Sequence, residues 1–317
     1  MEKDKLIKIV NNFKGKKAGV IGDLMLDHFI WGDVERVSPE APVPVVLVKK
    51  ESFMPGGAGN TAANISALGG DVFLMGLVGK DFAGKVLLEE LEKMGVETQG
   101  VLEHSQKPTI QKIRIVAKIQ QVVRVDKEDP QYIGSDIEKK LLEFIASHIK
   151  EWDCLVVSDY AKGLVTENLA KTLVNLAVKY KKPVICDIKP KHAEFFKNAT
   201  LLSPNRKESL AISGASDINE AGKIIQKKLN CSVLLTQGPE GATLFENNKV
   251  KHFPSMARET VDVSGAGDTV VAAAALALAT GANLERASVI ANYAAGIVVG
   301  KLGTATVSQK ELKNILA

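Results

Sequence analysis

Aromatic residues make up only 5% of this 317-residue chain, and it holds only three cysteines. Cys154, Cys186 and Cys231 are odd in number and sit in or beside apolar runs, so they read as reduced core residues and not as a disulfide framework. No Cys/His group has zinc spacing. The longest apolar run, Val270 to Ala279, falls well short of the roughly 20 residues a membrane helix needs. Met1-Glu2-Lys3-Asp4-Lys5 leads into no apolar signal core. These absences point to a cytoplasmic, soluble protein that needs no staples, because a chain of this length can bury a large core. Basic runs with interleaved aromatics are missing too, so the net charge of +4 fits phosphorylated metabolites better than nucleic acid.

The densest signal is Asp262-Val263-Ser264-Gly265-Ala266-Gly267-Asp268-Thr269, which runs straight into the apolar stretch from Val270. Gly265 and Gly267 let the chain turn into a helix whose first N–H groups lack intrahelical partners and lie at the positive end of the macrodipole. Such a turn is a receptacle for an oxyanion. Asp268 has two readings there: a cap or dipole partner, or a base that takes the proton of a hydroxyl attacking phosphorus. The helix after it is apolar on every face and therefore buried.

This segment resembles the C-terminal signature of the ribokinase-like, or PfkB, family of sugar and nucleoside kinases. The resemblance implies that Asp268 is the catalytic base and that Gly265, Ala266 and Gly267 form the anion hole. Arg36-Val37-Ser38-Pro39-Glu40-Ala41-Pro42-Val43-Pro44-Val45 is similar to one branch of that family, the heptose 7-phosphate kinases of ADP-heptose synthesis. The family's motifs follow one another in its own order from Gly22 to about Val307.

From the N-terminus, Lys5 to Asn12 reads as a short helix and Lys17 to Gly22 as a buried strand ending at Asp23 and Asp27. Acids at a strand's carboxyl end are placed for a ligand crevice, or they are ordinary loop acids; the resemblance makes Asp23 and Asp27 ligands of sugar hydroxyls. Between about 29 and 50 the pattern alternates like strands, but Pro39, Pro42 and Pro44 exclude a central sheet position. A second alternating region, about 105–126, completes a small β-sheet lid made basic by Lys112, Arg114, Lys118 and Arg124. Such a lid suits a phosphorylated substrate, although a solvated strand face gives the same pattern. The basic lid makes Lys112 a candidate substrate contact, and Gln120, Gln121, Arg124 and Asp126 resemble the corresponding stretch of the branch, which adds Gln121 and Arg124, with a polar residue expected where Ile119 stands.

Gly56, Gly57 and Asn60 open a helix. The run Gly57-x-Gly59-x-x-Ala62, with Asp81 downstream, also fits a dinucleotide fingerprint and hence a nicotinamide-dependent oxidoreductase. That fingerprint should follow a buried strand, whereas Lys49 to Pro55 is charged and ends in proline. The family reading brings Gly56, Gly57 and Asn60 to the sugar. Gly79 to Lys85 imitates a P-loop, but Val86 stands where Ser or Thr must hold Mg²⁺.

Later, strands near 153–157 and 183–186 end in Asp159 with Lys162 and in Asp187 with Lys189, acid-plus-lysine loops suited to one anionic ligand. Recurrent strand–loop–helix order implies a parallel sheet with right-handed crossovers. By resemblance Asp159 and Lys162 join the substrate site and Lys189 the nucleotide site. Asn205-Arg206-Lys207-Glu208 matches the family's Asn-x-x-Glu motif, whose Asn205 and Glu208 act on Mg²⁺ through water; alone, Glu208 is equally a first-turn helix acid. Thr236, Gly238 and Gly241 correspond to the nucleotide loop, and Asn292, in the helix read as the last, to the adenine side or else to core packing.

The expected fold is α/β, one doubly wound, mostly parallel ribokinase-like domain over 1–317 with the small lid. The implied reaction moves the γ-phosphoryl of ATP to the anomeric hydroxyl of D-glycero-D-manno-heptose 7-phosphate. Mg²⁺ is the implied cofactor, a monovalent cation is compatible with it, and a homodimer is the implied assembly. Some relatives carry a fused nucleotidyltransferase. The chain ends at Ala317 with no H-x-G-H-like site, so the expected product passes to a separate phosphatase and nucleotidyltransferase. The alternatives are another PfkB kinase, for ribose, fructose phosphate or a nucleoside, or a non-catalytic sugar-nucleotide binder.

Overall fold

The computed structural model describes residues 2–118, 120–257 and 259–317. Met1, Ile119 and Arg258 lie outside the described residues, Ile119 being the lid position expected to be polar. The strands are β1 (Lys17–Gly22), β2 (Leu24–Val37), β3 (Pro44–Gly57), β4 (Asp71–Gly79), β5 (Glu97–His104), β6 (Ile110–Ala117), β7 (Gln120–Lys127), β8 (Cys154–Ser158), β9 (Val184–Asp187), β10 (Leu201–Leu202), β11 (Ser232–Thr236), β12 (Ala242–Glu246) and β13 (Lys249–Phe253). The helices are α1 (Glu2–Asn11), α2 (Ala58–Ala67), α3 (Phe82–Lys93), α4 (Ser135–His148), α5 (Glu167–Lys179), α6 (Arg206–Ser213), α7 (Ile218–Leu229), α8 (Ala266–Ala279), α9 (Leu284–Val298) and α10 (Gln309–Leu316). No helix among the described residues is long and apolar enough to cross a membrane.

A nine-stranded sheet runs β13-β12-β11-β10-β9-β8-β1-β4-β5. It is parallel from β11 to β5, with β12 and β13 added antiparallel at one edge. Central strands such as β1 and β8 are continuous apolar runs because helices cover both faces. Residues alternate between two cores: Val156, Ile185 and Leu234 meet α2, α8 and α9, while Val157, Cys186 and Leu235 meet α4, α5 and α7. α8 is buried from Asp268 to Ala277, as its uniform apolarity predicts.

The second sheet is four-stranded, in the order β3-β2-β6-β7. β3 is its edge, where the ladder tolerates Pro44 and Pro55. The strands reach further than the sequence boundaries of about 29–50 and 105–126: the sheet starts at Leu24, directly after β1, and β3 ends only at Gly57. Alternation was masked there, because the inner half of β2 and the end of β3 are buried on both sides. The helix read as the last is followed by α10, which packs on α1 and α9.

Asp23 is the residue between β1 and β2, where the chain leaves the large sheet for the small one. α2 begins where β3 ends, and α8 packs against α2, β8 and β9. The small sheet, the ends of the parallel strands and the start of α8 therefore meet in one place.

Candidate active site

Gly265 caps α8 in the left-handed conformation, at φ 76°, and supplies no side-chain cap. A Cβ there would lie 2.4 Å from Asn60 Nδ2, so the turn and α2 touch through a glycine. Asp268, in the first turn of α8, is buried, and its carboxylate bonds to side chains outside its own helix. Asn60 Nδ2 donates to its Oδ2 at 2.8 Å, while Thr61 Oγ1 (3.1 Å) and the Tyr160 hydroxyl (3.0 Å) donate to Oδ1. Asn64 extends the seam, donating to Asn60 Oδ1 and accepting from Thr269 Oγ1. Burial pushes the Asp268 pKa up to about 6 against these three donors, with the charge of Asp27 adding to the rise. A carboxylate so placed is ionised at neutral pH yet basic enough to accept a proton.

Beside the turn opens a cavity of about 520 Å³. Asn205, Arg206, Lys207, Thr236, Gly238, Gly241 and Asn292, drawn from three separate stretches of sequence, all line it together with Ala266 and Gly267. Its size and its mixed apolar and polar wall suit a nucleotide-sized ligand. Asn205 and Glu208 form a reciprocal capping box at the start of α6. Glu208 Oε1 also takes the ammonium of Lys189. Asn292 donates to the carbonyl of Pro254.

On the other side of Asp268 the small sheet delivers Asp27, Lys112 and Arg114. Arg114 Nη1 donates to Asp27 Oδ1 at 2.6 Å, with its guanidinium 5.0 Å from the centre of the Phe29 ring. The Lys112 ammonium lies 5.3 Å over the Tyr160 ring, and burial lowers its pKa. Lys189 lies 5.0 Å over the same ring; Asp187 and Glu208 overcome the cost of its burial and raise its pKa. Asp187 is buried near Gly267, and burial, with the charges of Asp268 and Glu208 added, lifts its pKa well above the carboxylate range despite Lys189.

The family model described as "pfkB family carbohydrate kinase" matches residues 16–311. The chain belongs to this family. It is a phosphotransferase that acts on a sugar. The chain is 42% identical over 307 residues to the "Bifunctional protein HldE" of Helicobacter pylori, covering 95% of this chain and 66% of that relative. The chain thus spans just under two thirds of the length of the curated relatives it matches. Among solved structures it resembles phosphofructokinase-2 from Escherichia coli in complex with potassium (TM-score 0.80, 22% identity, 96% of this chain and 98% of that one). It also resembles Arabidopsis thaliana ribokinase complexed with ribose and ATP (TM-score 0.75, 21% identity, 96% of this chain and 99% of that one). At these identities the likeness is one of fold, the ribokinase-like α/β architecture expected from the sequence.

In this kinase several residues expected at the substrate stand elsewhere. Asp23 is only 2% exposed, and its carboxylate accepts the backbone N–H groups of Tyr160, Lys162 and Leu164. It clasps the loop after β8. Asp159 is fully buried, bound to the N–H of Ala161 and to His192 Nδ1 at 2.6 Å. The Lys162 ammonium pairs with Glu128. Asn60 faces Asp268, not open space. Gln121 and Arg124 lie on the exposed edge strand β7, where Arg124 makes a fork with Asp126. Gly56 and Gly57 are strand-end residues packed against Asp27 and the Asp23 carbonyl, leaving no room for a side chain.

Tyr160 and Thr61 escaped the sequence reading, and Asp187 entered it only as the acid of its loop. Thr61 was legible, lying one residue past Asn60 in the same turn, but a threonine in a glycine-rich helix start carries no signature. The oxidoreductase rival loses its basis. Gly57 ends a strand of the small sheet, and Asp81 caps α3, accepting from Gly84 N and from Thr109.

Proposed function

We propose that this kinase transfers the γ-phosphoryl group of ATP to the anomeric hydroxyl of D-glycero-D-manno-heptose 7-phosphate, forming the 1,7-bisphosphate of ADP-heptose synthesis. The observation that carries the reading is Asp268, held by three donors at the mouth of the Gly265–Gly267 turn, with the nucleotide-sized cavity on one side and a cationic sheet on the other. Asp268 takes the proton of the hydroxyl as its oxygen bonds to the γ-phosphorus. The bond from that phosphorus to the β–γ bridging oxygen breaks, and ADP leaves. The N–H groups of the turn stabilise charge on the transferring oxygens, as donors aimed at developing charge do in a dry site.

Asp27 faces the sugar, and Lys112 and Arg114 its phosphate. Thr236, Gly238, Gly241 and Asn292 hold the nucleotide, with Arg206 and Lys207 toward its phosphates and Lys189 balancing the acids beside them. Mg²⁺ supplies charge neutralisation when bound with ATP. The donors fit a hydrated ion, because both Glu208 oxygens and the Asn205 amide oxygen already serve the capping box and Lys189, leaving them to act through water. A monovalent cation belongs to the reading because the phosphofructokinase-2 neighbour is in complex with potassium. Exposed Val37, Leu47, Val48, Val123 and Val125 on the small sheet support pairing with a second copy. The heptose assignment draws on the HldE relatives and on the Arg36–Val45 segment.

The test is ³¹P NMR of the product. A second phosphorus resonance coupled to the proton on the anomeric carbon is expected. Phosphorylation at any other carbon contradicts the reading.

A further inference from the structure

Tyr160 has no role in the transfer as described so far, yet the loop that carries it is held more tightly than a connection requires. Its main-chain N–H donates to Asp23 Oδ2 at 2.8 Å, and the next residue, Ala161, adopts a left-handed φ of 57°. An alanine rarely takes that conformation, and its cost is sustained only where surrounding contacts over-determine it. Those contacts are two buried carboxylates: Asp23 on Tyr160, Lys162 and Leu164, and Asp159 on Ala161. The side chain they fix reaches Asp268 Oδ1 at 3.0 Å while its ring lies beneath Lys112 from the small sheet and Lys189 from the loop after β9.

We propose that Tyr160 is a positioning residue for the base: its hydroxyl fixes Oδ1 of Asp268 and turns the one uncommitted lone pair on Oδ2 toward the acceptor. A carboxylate offers about four lone-pair sites. Tyr160 and Thr61 take those of Oδ1, and Asn60 takes one on Oδ2. The Tyr160 donor also favours the ionised form, since a hydrogen bond to a charged acceptor is stronger than one to a neutral acid. The charged groups around this pair are Asp27 with Arg114, Lys112, Asp187, and Lys189 with Glu208. All remain in place when only the hydroxyl is removed.

This assignment rests on Asp268 being the base, and Tyr160→Phe tests it because phenylalanine keeps the ring under both ammonium groups. The acid limb of the kcat/KM profile, which reports the unliganded base whose pKa burial raises to about 6, is expected to move up by about one pH unit, the size of one charge-assisted hydrogen bond. Accordingly kcat/KM falls about fivefold at pH 6 and hardly changes at pH 8, the loss carried by kcat, while KM for sugar phosphate and ATP stays within about twofold. An unmoved limb, or a loss carried by KM at every pH, overturns the assignment. A ligand-free readout separates the two claims. A ¹³C NMR titration of the Asp268 carboxyl, identified by its disappearance in Asp268→Asn, shows a higher midpoint in Tyr160→Phe. Equal midpoints with an inactive Asp268→Asn enzyme overturn the role of Tyr160 alone, whereas an active Asp268→Asn enzyme overturns the base and Tyr160 together.

Discussion

Asp268→Asn lowers kcat by about 10²–10⁴-fold, the usual worth of a positioned base, and leaves the Kd for ATP and for the sugar phosphate nearly unchanged. The substitution is well suited to the site. Asparagine can keep its oxygen toward the Asn60 amide and turn its own amide toward Tyr160 and Thr61, whose hydroxyls rotate freely enough to accept instead of donate. Removal of a buried charge also lifts the desolvation cost that raises the native pKa. The variant is therefore expected to melt at or above the native temperature while turning over poorly. Single-turnover kinetics beside calorimetric binding and a thermal melt check all three parts.

Gly265→Ala has the second-largest expected effect, and it acts by geometry. An added Cβ stands 2.4 Å from Asn60 Nδ2, where no side chain fits, and φ of 76° is costly for alanine by about 1 kcal/mol or somewhat more. The strain has two outlets: Gly265 moves and the anion turn opens, or Asn60 moves and Asp268 loses a donor. Either shift misplaces reacting groups, and displacement of this kind costs on the order of 10²-fold in turnover. Stability falls as well, unlike in Asp268→Asn. A melt lowered by several degrees together with a loss of kcat is the expected pair. A drop in melting temperature with native kcat would show that the turn takes no part in the transfer.

The large sheet was readable because its strands are apolar runs ending in acids and glycines, and the turn at Gly265 because glycine and helix start announce themselves locally. The residues lining the large cavity were also legible as short motifs, which folding gathers from distant stretches. What sequence could not convey is direction. Asp23, Asp27 and Asp159 look alike as acids beyond strand ends, yet only Asp27 faces the small sheet's cations; Asp23 and Asp159 turn back to hold the Tyr160 loop. Asn205 and Glu208 satisfied the capping-box spacing and the metal-motif spacing at once, and the structure shows the first of these. Tyr160 was hidden because its partner Asp268 lies 108 residues away and no short pattern links them.

The measurement that tests the central claim most directly is Mg²⁺-dependent ADP release from ATP with four acceptors: D-glycero-D-manno-heptose 7-phosphate, fructose 6-phosphate, ribose and adenosine. The account expects kcat/KM for the heptose phosphate to exceed every other value by at least about 10²-fold, the discrimination that buried polar contacts to a substrate phosphate can supply. Comparable or greater turnover of ribose, adenosine or fructose 6-phosphate would contradict it.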